Sequence, residues 1–388
     1  MKIPLKYNFR SLFVRRATTL MTIGSIAFVV LVYIGVLALA GGLKTAFAAS
    51  GDPRNVLVLR EGAKSEVESF FDLDKARLLA ALPGVGRNAK GDPLASGQTT
   101  VLQILKRADG SESNVSIRGV EPAIFDIRPQ VRLIEGRRFE PGRAEVIVGS
   151  KLAGRFAGLS VGEQMKFGRV EFRVVGIFDS NGGSFNSEIW VPISDLRDAF
   201  RRGESVSTVV LQAASADEAV ALVDRIKADQ QLKLQPKLEI DYFADQANQN
   251  SRQFVVLGNV LAVLMSFGAC FAAANTMYAQ VAARAKELGT LRAVGFKRRT
   301  ILVAFLLEAA LLGLIAGCVG ALAALPLNSL TAGTMNGVTF SEISFNLRTT
   351  PTILLSGILL AVVTGVLGGL PPAIAASRRP ITTLLREV

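Results

Sequence analysis

Residues 84–91, GVGRNAKG, are the nearest this sequence comes to a phosphate-binding loop, but neither GxGxxG nor GxxxxGK followed by Ser or Thr is present. A helix stop followed by a turn is expected there instead. Histidine is absent from all 388 residues, which removes the usual general base and the commonest metal ligand together. The two cysteines, Cys270 and Cys318, fall inside long apolar runs and read as small packing residues, so the polar middle of the chain holds neither a disulfide framework nor a Cys/His metal cluster. Carboxylates are plentiful, yet nothing in their spacing marks a Ser-Lys or paired-carboxylate site. This chain is therefore not expected to be an enzyme or to hold a cofactor or metal of its own.

Other residues carry chemistry of a different kind. Glu308 lies about eight residues inside an apolar run, where a carboxylate is costly and by default points to a site. Two readings are open: an ion pair with Arg292 or Arg299, or a proton or substrate role. Gly313, Gly317 and Ala321 recur every fourth residue, as do Gly357, Ala361, Gly365 and Gly369. Such ridges let helices approach closely, either as ordinary packing or as a self-association face. In RAKELGTLRAVGFKRRT, residues 284–300, Val281, Ala285, Leu288 and Leu291 form an apolar stripe at helical spacing and Gly295 is placed to end the helix. The stripe has no evident partner in so short a loop, so glutamate at Leu288 or Leu291 is expected to disturb docking to another protein, not folding.

These residues sit in elements set by hydropathy. Half of the sequence is hydrophobic, and the apolar residues gather in four runs: 17–43, 253–283 and 349–377 carry no charge, and 300–327 carries only Glu308. Each exceeds the ~20 residues that cross a bilayer as a helix, and unbroken runs exclude the alternation of a membrane β-barrel. The basic start and Ala46-Phe47-Ala48 resemble a cleaved signal, but the 27-residue run is long enough to stay as an anchor. Leu5, Phe9, Leu12 and Phe13, beside Lys6 and Arg10, predict an interfacial amphipathic helix over 1–16.

The net charge of +12 raises the question of nucleic acid until it is divided along the chain. Residues 44–251 hold 28 bases and 28 acids, and the excess flanks the apolar runs on one side: before 17, within 281–299 and after 377. This is a positive-inside signal, which predicts an inner-membrane protein with both termini (the tail being 378–388) and the 281–299 loop in the cytoplasm. Lipid, not nucleic acid, is the expected surround. Residues 44–251 then form an extracytoplasmic α+β domain inserted between helices 1 and 2. Strands are predicted at 55–60, 99–106, 113–119, 144–148, 170–178, 188–192, 207–212 and 236–241, and helices at 73–82, 194–201 and 216–229. From about Ala244 a helical stalk should run into the second span, 252–280, while 328–348 reads as a short extracytoplasmic loop.

The segment RAKELGTLRAVG closely resembles the cytoplasmic loop of FtsX-like/MacB-like ABC-transporter permeases, with its Lys-Glu-Leu-Gly and Arg-Ala-Val-Gly elements. FRSLFVRRATTLMTIGSIAFVV, VRLIEGRRFEP, AEVIVGSKLA, FRVVGIFDSNGG and PPAIAASRRPITTLLR are also similar to that family, as is the order of one span, a large outer domain and three more spans. The resemblance implies a porter-like lobe and a β-rich lobe outside. It also implies that Arg284, Lys286, Glu287, Leu288, Gly289, Leu291, Arg292 and Gly295 form a coupling helix docking into an ATPase. Because no ATPase signature is present, ATP and Mg are expected in a separate ABC ATPase, two copies of which would serve two permeases, identical or paralogous. The same resemblance implies export by mechanotransmission, with small molecules or peptides as the expected cargo and a periplasmic adaptor and outer-membrane channel as further partners. A lipoprotein-releasing permease and an FtsX-like transducer that activates an outside enzyme are the alternatives.

Overall fold

The computed structural model describes residues 16–378, so the amphipathic helix expected over 1–16 and the tail beyond 378 lie essentially outside the described residues. The chain forms two compact units, one from the residues up to Gly41 with Gln253–Leu330 and Leu347 onward, the other from Gly42–Arg252 with Thr331–Asn346. Among the described residues four helices are long and apolar enough to cross a membrane, and they flank an α+β domain inserted after the first.

Helix α1 (Arg16–Ala48) is followed by β1 (Asn55–Arg60), β2 (Phe71–Asp72), α2 (Leu73–Ala80), β3 (Ala95–Lys106), β4 (Glu112–Val120) and the single turn α3 (Ile124–Ile127). Next come β5 (Arg132–Gly136), β6 (Glu145–Gly149), β7 (Gln164–Phe167), β8 (Val170–Asp179), β9 (Glu188–Pro192) and α4 (Ile193–Phe200). The domain's main run closes with β10 (Ser205–Val206), β11 (Thr208–Gln212), α5 (Ala216–Ala228) and β12 (Leu234–Leu238). Helix α5 starts where Ser215 accepts a hydrogen bond from the Glu218 amide, and its acids lie in the first turn and its bases in the last, as the helix dipole favours.

One ten-stranded sheet runs β12-β1-β11-β3-β4-β9-β6-β8-β5, with β7 paired to β8. The β4/β9 and β6/β8 pairs are parallel and the others antiparallel. Two hydrophobic cores lie along it. Val56, Val58, Val209 and Leu211 meet Leu79 of α2 and Leu222 and Ile226 of α5 in the first. Val115, Ile117, Val146, Val148, Phe172 and Ile189 meet Leu196 of α4 in the second. Burial of each such side chain contributes about 1.5–3 kcal/mol. The two lobes expected from sequence are thus two cores on a single sheet. Strand β5 escapes prediction because its residues are mostly exposed and lack an alternating apolar pattern, and β7 because its alternation, Gln-Met-Lys-Phe, spans only four residues.

Helix α6 (Glu239–Ala283) is 45 residues long and begins in the domain unit. It starts earlier than Ala244, replacing the end of the strand expected to 241, with Glu239 and Asp241 suited to its positive N-terminus. The short α7 (Ala285–Ala293) and the long α8 (Arg298–Ala324) follow. Residues 328–348 are not simply a loop: β13 (Thr331–Met335) and β14 (Glu342–Asn346) pair as an antiparallel hairpin belonging to the domain unit. Helix α9 (Pro351–Arg378) completes the membrane unit, where Ile26, Val30 and Ile34 of α1 pack with Ala273, Ala316 and Ala361.

Candidate coupling surface

Helix α7 is a separate element because Arg284, at φ −113° and ψ 19°, interrupts the run from α6. Its other end is closed by Gly295 at φ +101°, a conformation that costs glycine little. The Gly295 amide donates to the Arg292 carbonyl at 3.2 Å and the Phe296 amide to that of Leu291 at 3.1 Å, satisfying carbonyls the helix leaves open. The helix stop predicted at Gly295 is present.

The orientation of the helix differs from expectation. Leu288 is 5% exposed and packs with Val281, Ala285, Ile301, Phe305 and Ala309, and Gly289 is buried as well. The apolar stripe therefore has its partner within the chain, so Leu288→Glu would attack folding directly. Leu291 and Arg292 are half-buried, and the Arg292 guanidinium donates to the Ser377 carbonyl at 2.9 Å. The outward face consists of Lys286, Glu287, Thr290, Ala293 and Val294, the last 65% exposed, followed by Gly295 and the bases Lys297, Arg298 and Arg299. Thr290 and Val294 were not singled out from sequence. Their spacing from Lys286, i+4 and i+8, was the available signal for a second face.

Glu308 is buried and paired, as one of its two readings had it, but with neither expected partner. Arg284 approaches it with Nη1 at 3.3 Å from Oε2 and Nη2 at 3.5 Å from Oε1. Arg284 is thus held inward.

The glycine ridges meet one another inside one chain. A Cβ added at Gly313 would lie 2.5 Å from the Ala361 carbonyl oxygen, and one at Gly365 2.7 Å from that of Ala309. At Gly317 the added Cβ would lie 3.0 Å from the Ala361 Cβ, and at Gly369 2.5 Å from the Ala309 Cβ. Gly357 instead faces Ile34 of α1 at 2.8 Å. These positions serve ordinary packing and are already occupied, so they do not form a free self-association face. Gly320 against Ala27 and Gly368 against Cys270 make equally close approaches that the sequence reading did not identify. Cys270 is partly buried, but Cys318 is exposed on its helix and is not the packing residue expected.

The most concentrated buried charge is in the domain. Arg118 Nε donates to Glu188 Oε2 at 2.7 Å, while its Nη atoms reach Glu66 at 2.7 and 2.8 Å, Glu188 at 2.8 Å and the Gln98 carbonyl oxygen at 2.7 Å. Burial alone would push Arg118 toward losing its proton, but Glu188 and Glu66 outweigh it and hold the guanidinium well above its usual pKa. Both carboxylates are thereby engaged by one cation. Residues 84–91 are also engaged structurally: the Gly86 amide donates to the Gln212 carbonyl at 2.7 Å, and Gly84 and Gly91 take positive φ in turns. No cluster of metal-ligating side chains occurs among the described residues.

Residues 19–229 match the MacB-like periplasmic core domain, and residues 259–381 match the FtsX-like permease C-terminal domain. The pyoverdine export ATP-binding/permease protein PvdT of Pseudomonas entomophila is 28% identical, the alignment covering 99% of this chain and 59% of that protein. The macrolide export ATP-binding/permease protein MacB 1/2 of Paracoccus denitrificans is also 28% identical, over 70% of this chain and 42% of its own length. The chain thus spans about half the length of these relatives. Among solved structures, the extracellular domain of the noncanonic ABC-type transporter YknZ from Gram-positive bacteria aligns over 47% of this chain and 99% of its own, with 18% identity and a TM-score of 0.37. The periplasmic region of MacB from Actinobacillus actinomycetemcomitans aligns over 51% of this chain and 92% of its own, with 14% identity and a TM-score of 0.36.

Proposed function

Because this chain belongs to the family with the MacB-like periplasmic core domain, joined here to an FtsX-like permease C-terminal domain, we propose that it couples an ABC ATPase to export through movement of its extracytoplasmic domain. The positive-inside pattern puts both termini and α7 on the cytoplasmic side. There the ATPase, with its ATP and Mg, docks on the outward face of α7. Two permease copies act with two ATPase subunits, and the cargo is a small molecule or peptide, in keeping with the macrolide and pyoverdine exporters among the relatives.

The observation that carries this reading is the orientation of α7: Leu288 and Ala285 anchor it to the membrane bundle, while Lys286, Thr290 and Val294 face outward. A helix anchored on one face can transmit a push received on the other. Lys286 and Glu287 supply charges for orientation, and Val294 supplies apolar area that gains when covered. Val294→Asp combined with Lys286→Glu should weaken ATPase binding at least tenfold, measured by co-purification and by ATP-driven efflux from proteoliposomes, without lowering permease yield. Leu288→Glu should instead lower the yield of inserted protein. Unchanged ATPase binding in the outward double variant would remove α7 as the docking element.

A further inference from the structure

Two stretches of chain, Gly42–Arg252 and Thr331–Asn346, make up the domain unit, and the root of the first and the seat of the second are built differently. Where α1 leaves and α6 begins, Glu239 and Arg128 are both essentially inaccessible and form an ion pair. Arg128 also donates to the Ser50 carbonyl at 3.0 Å and lies 4.3 Å over the Phe185 ring. The second oxygen of Glu239 accepts from the Asp52 amide at 3.0 Å and from Asn55 at 2.8 Å. The Ser50 and Ser184 hydroxyls meet at 2.8 Å. The carboxylate of this root is inaccessible and satisfied on both oxygens, while Arg128 Nε is buried without a hydrogen-bond partner.

The β13–β14 hairpin buries Ile343 and Phe345 and is otherwise seated by polar links. Glu342 is 3% exposed, but its partners Arg107 at 2.7 Å and Arg155 at 2.8 Å are 29% and 35% exposed. Asn336 donates to Gln246 at 2.8 Å and accepts from Asn250 at 3.0 Å, and Asn114 donates to the Phe340 carbonyl at 3.1 Å. Beneath them lies a cavity of about 30 Å³ lined by Thr100, Glu66, Glu188, Asn336, Thr339 and Glu342. That is room for one or two waters, and the buried Thr100 hydroxyl that faces it has no protein partner. At the hairpin tip Phe340 has φ +57°, a strained conformation for a bulky residue.

We propose that the β13–β14 hairpin is a releasable latch on the domain, with Glu342 leaving Arg107 and Arg155 during the transport cycle while the Arg128–Glu239 root stays closed. The assignment of a cycle rests on the export reading above. Water can enter the seat and take over the hydrogen bonds of Glu342, Asn336 and Thr100 one at a time, so separation never strands a buried charge. At the root, where both partners are essentially inaccessible, the same separation would leave Glu239 and Arg128 buried without a counter-charge. Release also lets Phe340 leave its strained conformation.

The chain by itself tests the latch. Glu342→Gln in the purified full chain should raise hydrogen exchange of the Thr334 and Ser344 amides at least tenfold and leave β1 and β12 unchanged; equal protection in variant and parent would overturn the proposal. A second arm replaces Cys270 and Cys318 by alanine and introduces either Asn114→Cys with Phe340→Cys or Ser50→Cys with Ser184→Cys. In proteoliposomes with the ATPase, oxidation of the first pair should cut transport at least tenfold, reversibly on reduction, and oxidation of the second should leave it intact. Full transport with the hairpin pair cross-linked, or equal loss with the root pair, would overturn the proposal. ATPase binding is measured in parallel: its loss in the reduced proteins would count against the export reading, whereas the exchange result stands independently.

Discussion

In the membrane unit, α8 and α9 meet through Gly313, Gly317, Gly365 and Gly369, whereas the extracytoplasmic unit is held by Val, Leu, Ile and Phe side chains in two cores. The difference follows from solvent. Lipid tails are as apolar as leucine, so large apolar side chains gain little by leaving them and helices associate through close backbone contact. In water, burying the same side chains is the main driving force. Buried charges differ too. Arg118 has short bonds to two carboxylates and an amide, while Arg284 and Glu308 stand 3.3 Å apart at one end of the membrane unit. The domain tolerates a buried cation because Gln98 of β3, Glu188 of β9 and Glu66 of the loop between β1 and β2 all supply partners, and it should be correspondingly sensitive to loss of that cation.

The sharpest way to break this comparison is Arg118→Met, which leaves Glu66 and Glu188 buried without their counter-charge. A loss of about 3–5 kcal/mol of domain stability is expected. Trp190, the chain's one tryptophan, is fully buried and donates to Glu188 at 2.9 Å, so its fluorescence during denaturation reads the site directly. A denaturation midpoint equal to the parent's would mean that the network contributes nothing net.

Gly365→Leu should have the next largest effect, about 1–3 kcal/mol, because the new side chain would be driven into the Ala309 backbone of α8. The damage should appear as lower thermal stability in detergent, read by aggregation temperature, and at protein concentrations where no dimer forms. If only dimer cross-linking fell while the isolated chain stayed as stable as before, the ridge would be an assembly face after all.

The smallest effect tests the domain's half-exposed ion pair. The hydrogen bond from Arg137, at 2.5 Å, holds Glu145 below its ordinary pKa of 4.5. A depressed folded-state value means that the pair's stabilisation is fully present above the ordinary pKa and fades as pH falls through the folded one. With Arg137 about half exposed, solvent screens the pair and its contribution is small. Glu145→Gln should therefore lower the unfolding temperature slightly at neutral pH, and the difference from the parent should vanish as the pH drops well below 4.5. A difference that persisted in acid would assign the effect to packing.

What the sequence determined by itself were properties settled over short stretches of chain. A run of about twenty apolar residues must be helical in lipid, because its amides have no other hydrogen-bond partners, and this made all four spans legible. The helix expected over 216–229 and the stop expected at Gly295 rest on local pattern and backbone needs, and the structure has Ala216–Ala228 helical and Gly295 in the left-handed region. The sequence also carried the family resemblance that the comparisons bear out. Only the tertiary structure decided that Leu288 turns inward, that Glu308 pairs with Arg284 instead of Arg292 or Arg299, and that Glu66, Arg118 and Glu188 converge. The same is true of the hairpin at 331–346, whose Glu342 finds its arginines at positions 107 and 155. Hydropathy and capping act between neighbours a few residues apart, but which face of a helix is covered, and which charge meets which, depends on distances between residues that only the folded chain brings together.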